Sequence, residues 1–198
     1  EFFIHLHLKD LKIYYSMESI PVDGTEIRVK EAIINRLIKT LNKHMNKKIL
    51  LVAHSMGSLI THDALIEESF KIKIDTYVTI GSPLGQKYVI HKYETEKQQN
   101  LINKLVVPES ILSKWYNLSD LQDQIALNHK LNDLYVENSG KVKVEDQLVI
   151  NNFISKGIRN PHKAFGYLRT PEFSKIVNDF LIPKKLGLFK WIKNILRL

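Results

Sequence analysis

The feature that most constrains the fold is a short apolar run that ends in a serine-containing turn. The run, ILLVA over residues 49–53, is too short for a buried helix. Apolar residues recur at helical spacing on both sides of it. A short apolar run between two helices is typical of a strand that is buried on both faces of a parallel sheet. The turn that follows reads Ala53-His54-Ser55-Met56-Gly57 and opens the second helix.

The rest of the sequence predicts further alternation of helices and strands. Residues 2–8 alternate weakly and are either a strand or an approach segment. Helices are predicted from Asp23 or Thr25 to Asn46, after Gly57, over 121–135 and over 171–181, and strands over 76–80, 113–118 and 142–150. This order implies an α/β fold, a three-layer αβα sandwich with a mainly parallel sheet. One domain is predicted over residues 1–183, followed by a basic amphipathic helix over 184–198.

Composition and motif content exclude several classes of function. The net charge of +8 comes from cations interleaved with acids, without a ladder of aromatic residues for stacking bases, so no nucleic-acid partner is expected. The chain has no cysteine, which removes disulfides and thiolate chemistry. No apolar stretch is long enough for a transmembrane helix. Glycine-rich phosphate loops and metalloprotease motifs are absent, and His5 and His7 near the start are interpreted as incidental, so no cofactor and no metal are expected.

Ser55 stands where a hydrolytic nucleophile is expected. A nucleophile elbow has small residues two positions before and after its serine, and Ala53 and Gly57 fill these positions. The turn would lift Ser55 to the carboxyl edge of the sheet, at the start of a helix. The free N–H groups there stabilise a developing oxyanion, and the backbone N–H of Met56 is the expected first donor.

A serine hydroxyl needs a base, and the base needs an orienting acid. His162 is the expected base, because it lies late in the chain, in an Asn160-Pro161-His162 loop that is followed by a helix. His129 falls inside the predicted helix over 121–135, His91 is followed by no suitable order of acid and base, and His62 on the helix after Ser55 is expected to face solvent.

Three aspartates compete for the role of the acid. Asp120 and Asp123 both follow the predicted strand over 113–118, and Asp146 comes later. Asp120 has an alternative structural use as a helix cap. Asp75 precedes its strand and therefore lies at the wrong edge of the sheet. We rank Asp123 first, Asp120 second and Asp146 third.

Several segments together resemble the alpha/beta-hydrolase superfamily, and in particular its lipase and esterase branch. The segments that carry the resemblance are Ala53 to Gly57, Val78 to Leu84, Asn117 to Ala126, Asn160-Pro161-His162 and Tyr167-Leu168. The acid of this family is often followed by a small or polar residue and an aliphatic pair, and Asp123-Gln124-Ile125-Ala126 matches that pattern better than Asp120 does. By this resemblance Ser55, Asp123 and His162 are the nucleophile, the acid and the base.

The resemblance implies a serine hydrolase that cleaves carboxylic esters, lipid esters among them, through an acyl-enzyme on Ser55. An acyltransferase with the same triad and an inactive hydrolase-fold binding protein are the alternatives. The family loop that supplies a second oxyanion donor is not recognisable in residues 1–47, which predicts that the N-terminal part of the family fold is missing from this chain.

The C-terminal residues 186–198 combine an apolar helical face with a cationic one. Leu188, Trp191, Ile192, Ile195 and Leu198 share one face, and lysines and an arginine take the other. This pattern is typical of a helix that lies in a membrane interface, and also of a terminal helix that packs on its own domain. We therefore expect either a cytoplasmic protein or one at the periphery of a membrane.

Overall fold

The computed structural model describes residues 9–67, 71–96 and 105–182. The strands are β1 (Ser19–Val22), β2 (Thr25–Arg28), β3 (Leu50–His54), β4 (Ile74–Ile80), β5 (Leu105–Val106), β6 (Ile111–Ser119), β7 (Tyr135–Val136), β8 (Val144–Leu148), β9 (Ile154–Ser155) and β10 (Ile158–Arg159). Residues 9–14 are helical. The helices that follow are α1 (Val29–Asn42), α2 (Met56–Leu65), α3 (Lys87–Glu96), α4 (Ala164–Tyr167) and α5 (Pro171–Leu181), with 3₁₀ turns at Pro83–Gly85 and Leu131–Asp133.

The centre of the fold is a four-stranded parallel sheet in the order β3-β4-β6-β8. The register aligns the carboxyl ends of the strands, since His54 pairs with Ile80, Ile80 with Leu118, and Leu118 with Gln147. The loops that follow these strands therefore meet at one edge of the sheet, which is where ligands bind in open α/β folds.

Apolar side chains alternate between the two faces of the sheet and build a core on each face. On β4, Tyr77 belongs to one cluster of buried residues, whereas Val78 and Ile80 belong to the other. Helices α1, α2 and α3 cover the first face, and α5 covers the second through Ile176. A sheet that is covered on both faces forms a three-layer αβα sandwich, as the sequence predicts.

The predicted helix over 23–46 is shorter than expected, because its first part is a β-hairpin. Strands β1 and β2 pair antiparallel, and the turn between them is Asp23-Gly24 with both residues at positive φ. An Asp-Gly pair between short alternating strands is a strong signal for a two-residue hairpin turn. Helix α1 then runs only from Val29 to Asn42, and a turn follows it.

The predicted helix over 121–135 is wrong. This stretch is a loop with a 3₁₀ turn at Leu131–Asp133. Asp120, directly before this stretch, and two side chains within it accept a backbone N–H two residues further along: Asp120 from Gln122, Asp123 from Ile125, and Asn128 from Lys130. Such local bonds offer the backbone an alternative to the helical pattern. His129 therefore lies in a loop, not in a helix.

His62 is also placed differently from the prediction. Its side chain is buried, 2% exposed, and its ring packs against the rings of Tyr93, Trp115 and Tyr135 in the core on the first face of the sheet. The strand predictions over 49–53, 76–80 and 113–118 are confirmed, as is the helix over 171–181.

Two predictions lie outside the described residues: the segment over 2–8 and the amphipathic helix over 184–198. Within the described ranges, none of the helices has both the length and the apolar character that crossing a membrane requires.

Candidate active site

Ser55 occupies a strained turn between β3 and α2. Its backbone has φ 53° and ψ −131°, a conformation that costs a non-glycine residue about 1–3 kcal/mol. The Ser55 N–H donates to the carbonyl of Ile80 at 3.2 Å, and its own carbonyl accepts the hydroxyl of Ser58 at 2.6 Å. These bonds hold the strained residue in place, and strain of this kind is concentrated at functional sites.

The hydroxyl of Ser55 meets an imidazole and a carboxylate in one chain of hydrogen bonds. Its Oγ lies 2.9 Å from Nε2 of His162, and Nδ1 of the same ring lies 2.9 Å from both carboxylate oxygens of Asp123. All three residues are buried, with exposed fractions of 6%, 7% and 1%. An ionised carboxylate only accepts, so Nδ1 of the neutral ring carries the proton and Nε2 accepts the hydroxyl of Ser55.

The carboxylate of Asp123 has further donors. The Tyr167 hydroxyl donates to its Oδ2 at 2.7 Å, and the Ile125 N–H donates to its Oδ1 at 2.9 Å. Burial works against the charged form, but the hydrogen bonds from His162, Tyr167 and Ile125 outweigh it and lower the pKa of Asp123 below its ordinary value of 3.8. Asp123 is therefore the ionised partner of the imidazole at neutral pH.

Asp120, the second candidate acid, is engaged elsewhere. Its Oδ2 accepts the N–H of Asn151 and forms an ion pair with Arg159, both at 2.6 Å. The side chain of Asn151 in turn donates to the carbonyls of Pro161 and Lys163, on either side of His162. Asp120 thus fixes the loop that carries the histidine without contacting the imidazole.

Asp146, the third candidate, lies within β8 and binds the loop after β6. It accepts hydrogen bonds from the side chain of Asn117 and from the N–H groups of Leu131 and Asn132, at 2.9–3.0 Å. Its contacts are therefore with β6 and the loop after it, and Asp123 is the one of the three aspartates that reaches the imidazole.

His54, next to Ser55 in the chain, also contacts the histidine. Its Nε2 lies 2.7 Å from the backbone carbonyl of His162, and the two ring centroids are 4.6 Å apart. A carbonyl oxygen only accepts, so Nε2 of His54 carries a proton. The His54 ring, at the end of β3, packs beside the ring of His162 and helps to hold that ring in its orientation.

Gly81, which follows β4, lies at the point where the three side chains converge. It has φ 53°, and a Cβ atom at this position would come within 2.8 Å of the Asp123 carboxylate and 3.2 Å of Nδ1 of His162. Only glycine fits this conformation without displacing them. A Cβ on Gly57, by contrast, would meet no atom within 4 Å outside its chain neighbours and the backbone of its own helix, so packing against the rest of the fold does not require a glycine there.

The N–H of Met56 stands at the first position of α2. The helix supplies no acceptor for the N–H groups of its first turn, so this group is available to an oxygen bound above Ser55. Over the ranges that the structure describes, no three histidine or acidic side chains come together as metal ligands.

Several contacts of this site have no local signal in the sequence. Tyr167, 0% exposed, joins Asp123 across 44 positions and also accepts the N–H of Asp120 at 3.0 Å. Arg159 and Asn151 likewise bind Asp120, which is distant from both in the chain. Of these three residues the sequence singles out only Tyr167, and only within the family resemblance. The contacts themselves join distant residues that the fold brings together.

Tyr167→Phe is expected to reduce stability in a pH-dependent way. Because the folded-state pKa of Asp123 is lowered, its ionised form contributes stability that is present above pH 3.8 and is lost as the pH falls through the lower folded-state value. Removing the tyrosine donor moves that pKa back up. We expect the free energy of unfolding to fall by about 1–2 kcal/mol at pH 7 and by less at pH 3, as measured by urea denaturation.

Tyr77→Phe is the matched control, because Tyr77 is equally buried and its hydroxyl donates to the uncharged carbonyl of Ser58 at 3.2 Å. The fall in the free energy of unfolding that Tyr77→Phe causes should be the same at pH 7 and at pH 3. Equal losses at pH 7 and pH 3 for Tyr167→Phe would contradict the link between this hydroxyl and the ionised carboxylate.

Comparison with known proteins agrees with this architecture. The chain is 30% identical over 98 residues to the protein named "Probable phospholipase YOR022C, mitochondrial" of Saccharomyces cerevisiae. The match covers 46% of this chain and 14% of the yeast protein, so the chain spans about one seventh of the length of this relative. No solved structure gives a significant match.

The family to which the chain belongs follows from a broader match. The PGAP1-like alpha/beta domain family matches residues 13–155, which include the parallel sheet, Ser55 and Asp123. The chain therefore belongs to the PGAP1-like alpha/beta domain family, a lipase- and esterase-like family of alpha/beta hydrolases.

Proposed function

We propose that this chain is a serine hydrolase that cleaves carboxylic esters of lipids through an acyl-enzyme on Ser55. The observation that carries the proposal is the continuous hydrogen-bond chain from Ser55 Oγ through the His162 ring to Asp123, with 2.9 Å at each step. A structural serine does not require a strained backbone, a buried imidazole and an ionised carboxylate together.

Each residue has a defined part in the proposed reaction. Ser55 Oγ attacks the ester carbonyl carbon while its proton passes to Nε2 of His162. Asp123 keeps the ring in the required tautomer and stabilises the imidazolium that forms. The N–H of Met56 donates to the oxyanion, and the leaving alcohol takes the proton from Nε2.

The second half of the reaction repeats these steps with water. A water molecule gives a proton to Nε2 of His162 as it attacks the acyl carbonyl of Ser55. The tetrahedral intermediate collapses, the proton returns to Ser55 Oγ, and the carboxylic acid leaves. The proposed reaction needs no metal or cofactor, because each proton transfer takes place between Ser55, His162 and the alcohol or water.

The substrate class is inferred from the comparisons. The family is lipase- and esterase-like, and the yeast relative is named a probable phospholipase. A lipid carboxylic ester is consistent with both descriptions and is the bond that an acyl-enzyme on Ser55 would cleave. We propose such an ester as the substrate.

A fluorophosphonate probe tests the activation of Ser55, since it reacts with an activated serine and not with an ordinary one. We expect one adduct per chain, found on Ser55 by peptide mass mapping. Labelling should be slowed by several orders of magnitude in His162→Ala, because the hydroxyl loses its base.

Exposed Ser113 serves as an internal control in the same experiment, since it should remain unlabelled. An adduct on any other serine, or a folded protein that takes up no probe, would refute the assignment of Ser55 as the nucleophile. The inactive binding protein is the alternative that this second outcome supports.

A further inference from the structure

The segment on both sides of His162 exposes an unusual amount of apolar surface. Large hydrophobic side chains along it are between 39% and 73% exposed, and they are Leu148, Ile150, Ile154, Ile158, Phe165 and Leu168. Single exposed hydrophobic residues are normal on protein surfaces. A concentration of them within one short segment beside a reactive site marks a surface that binds a partner.

All the charged residues of the same segment are cationic. From Gln147 to Pro171 the sequence contains no acidic residue, whereas it contains Lys156, Arg159, Lys163 and Arg169. Arg159 is paired with Asp120, and the other three side chains are exposed. Apolar surface flanked by cations without acids fits a surface that is apolar below and negatively charged above, as an anionic membrane is.

The segment is also ordered by its own contacts. β9 and β10 form a hairpin whose turn, Lys156-Gly157, has both residues at positive φ, the conformation of a tight two-residue turn. The rings of Phe153 and Phe165 lie 6.2 Å apart. A cavity of about 210 Å³ lies between residues 150–153, which precede the hairpin, and the start of α5, and it is lined by Ile150, Phe153 and Arg169, among other residues.

The position of the segment relates it to Ser55. It follows β8, so it leaves the sheet at the same carboxyl edge as the turn that carries Ser55. His162 lies inside it, and Asn160 donates its N–H to the carbonyl of Phe153 at 2.8 Å. A surface that binds this segment therefore comes close to the hydroxyl of Ser55.

We propose that residues 148–169 form a docking face for an anionic lipid surface, with the hydrophobic side chains in the acyl boundary and Lys156, Lys163 and Arg169 at the head groups. This inference rests on the proposed function, because docking would bring lipid esters to Ser55. It is independent of the C-terminal residues 184–198.

The absence of cysteine from the chain allows a local test. Ile158→Cys is labelled with a fluorophore that responds to polarity, and Met45→Cys is the matched control. Both positions are exposed, but Met45 lies between α1 and β3, at the opposite edge of the sheet. The labelled proteins are mixed with vesicles of phosphatidylcholine, alone or with phosphatidylserine.

We expect a blue shift and about a twofold or larger gain in emission for the label at Ile158 with phosphatidylserine vesicles, and no change at Met45. High salt should reverse the response. Lys156→Glu in the Ile158-labelled protein should weaken vesicle binding about tenfold, because it replaces an attraction to the membrane by a repulsion.

Three results would overturn the docking face. The first is a protein that sediments with vesicles while the label at Ile158 stays unchanged, since another part of the chain then binds. The second is a protein that does not bind vesicles at all. The third is a dimer in solution that Ile158→Ser dissociates, since the face is then covered by a second copy of the chain.

Binding and catalysis are separated by repeating the titration in Ser55→Ala. If the docking face is correct and the proposed hydrolysis is not, the label at Ile158 responds to vesicles, although neither Ser55→Ala nor the protein with Ser55 unchanged cleaves an ester. If the hydrolysis is correct and the docking face is not, Ile158→Ser and the unchanged protein cleave a soluble short-chain ester at the same rate. They also cleave a lipid ester in vesicles at the same rate.

Discussion

Ser55→Ala is expected to abolish hydrolysis of a p-nitrophenyl ester while leaving the fold intact. Removing the nucleophile of a serine hydrolase with a complete triad lowers the turnover number by about 10⁶-fold, because the acyl-enzyme cannot form. The side chain contributes one hydrogen bond, to His162. Far-UV circular dichroism and the urea midpoint should therefore stay close to those of the unchanged protein.

Ser58→Ala provides the matched control, because Ser58 is a buried serine in the first turn of α2, three residues after Ser55. Its hydroxyl donates to the carbonyl of Ser55 and lies 2.7 Å from that of Ser82, and neither contact involves His162. We expect a loss of stability of about 1 kcal/mol with most of the activity retained, because the Ser55 carbonyl keeps the N–H of Ser58 as a donor at 2.9 Å. Comparable turnover in Ser55→Ala and in the unchanged protein would refute the proposed mechanism.

Asp123→Asn and Asp120→Asn should differ sharply although both aspartates are buried and follow the same strand. Asp123→Asn is expected to lower the turnover number by about 10⁴-fold, since an amide neither holds the required tautomer of His162 nor stabilises its cation. The corresponding substitution in the catalytic triad of a serine protease has an effect of this size. Steady-state hydrolysis of a soluble ester measures the loss.

Asp120→Asn should act on stability instead. The substitution removes the ion pair with Arg159 and weakens the bond to the N–H of Asn151, and we expect the free energy of unfolding to fall by about 1.5–3 kcal/mol. Activity should fall by less than about tenfold, because the imidazole keeps its contact with Asp123. A larger loss of turnover in Asp120→Asn than in Asp123→Asn would reverse the assignment of the two residues.

Elements with a strong local signal could be predicted from the sequence. The apolar run of β4 is almost fully buried and that of β3 is half-buried at the edge of the sheet, and in both the hydrophobic pattern runs along the whole strand. Helix α5 begins with Thr170 as its cap and Pro171 in its first turn, both of which are helix-start signals. These features depend on neighbouring residues and therefore survive without knowledge of the fold.

Two segments differ from their predicted structure because their local signals compete. The apolar positions from Ile27 onward suit a helix, but Asp23-Gly24 imposes a hairpin before it, a signal that is present in the sequence. Over 121–135 the apolar spacing also suits a helix, whereas the side chains of Asp120, Asp123 and Asn128 take up backbone N–H groups that a helix would use.

The sequence by itself determined the α/β class, the turn at Ser55 and a set of three candidate acids, because each depends on a run of adjacent residues. Only the tertiary structure decided which aspartate meets the imidazole, since the choice depends on how β6 and β8 align and on which donors surround each carboxylate. Asp120 is held by Arg159 and Asp146 by Asn117, so Asp123 is left to His162. The physical reason is that hydrogen-bond partners across the edge of a sheet are distant in the chain and are brought together by packing.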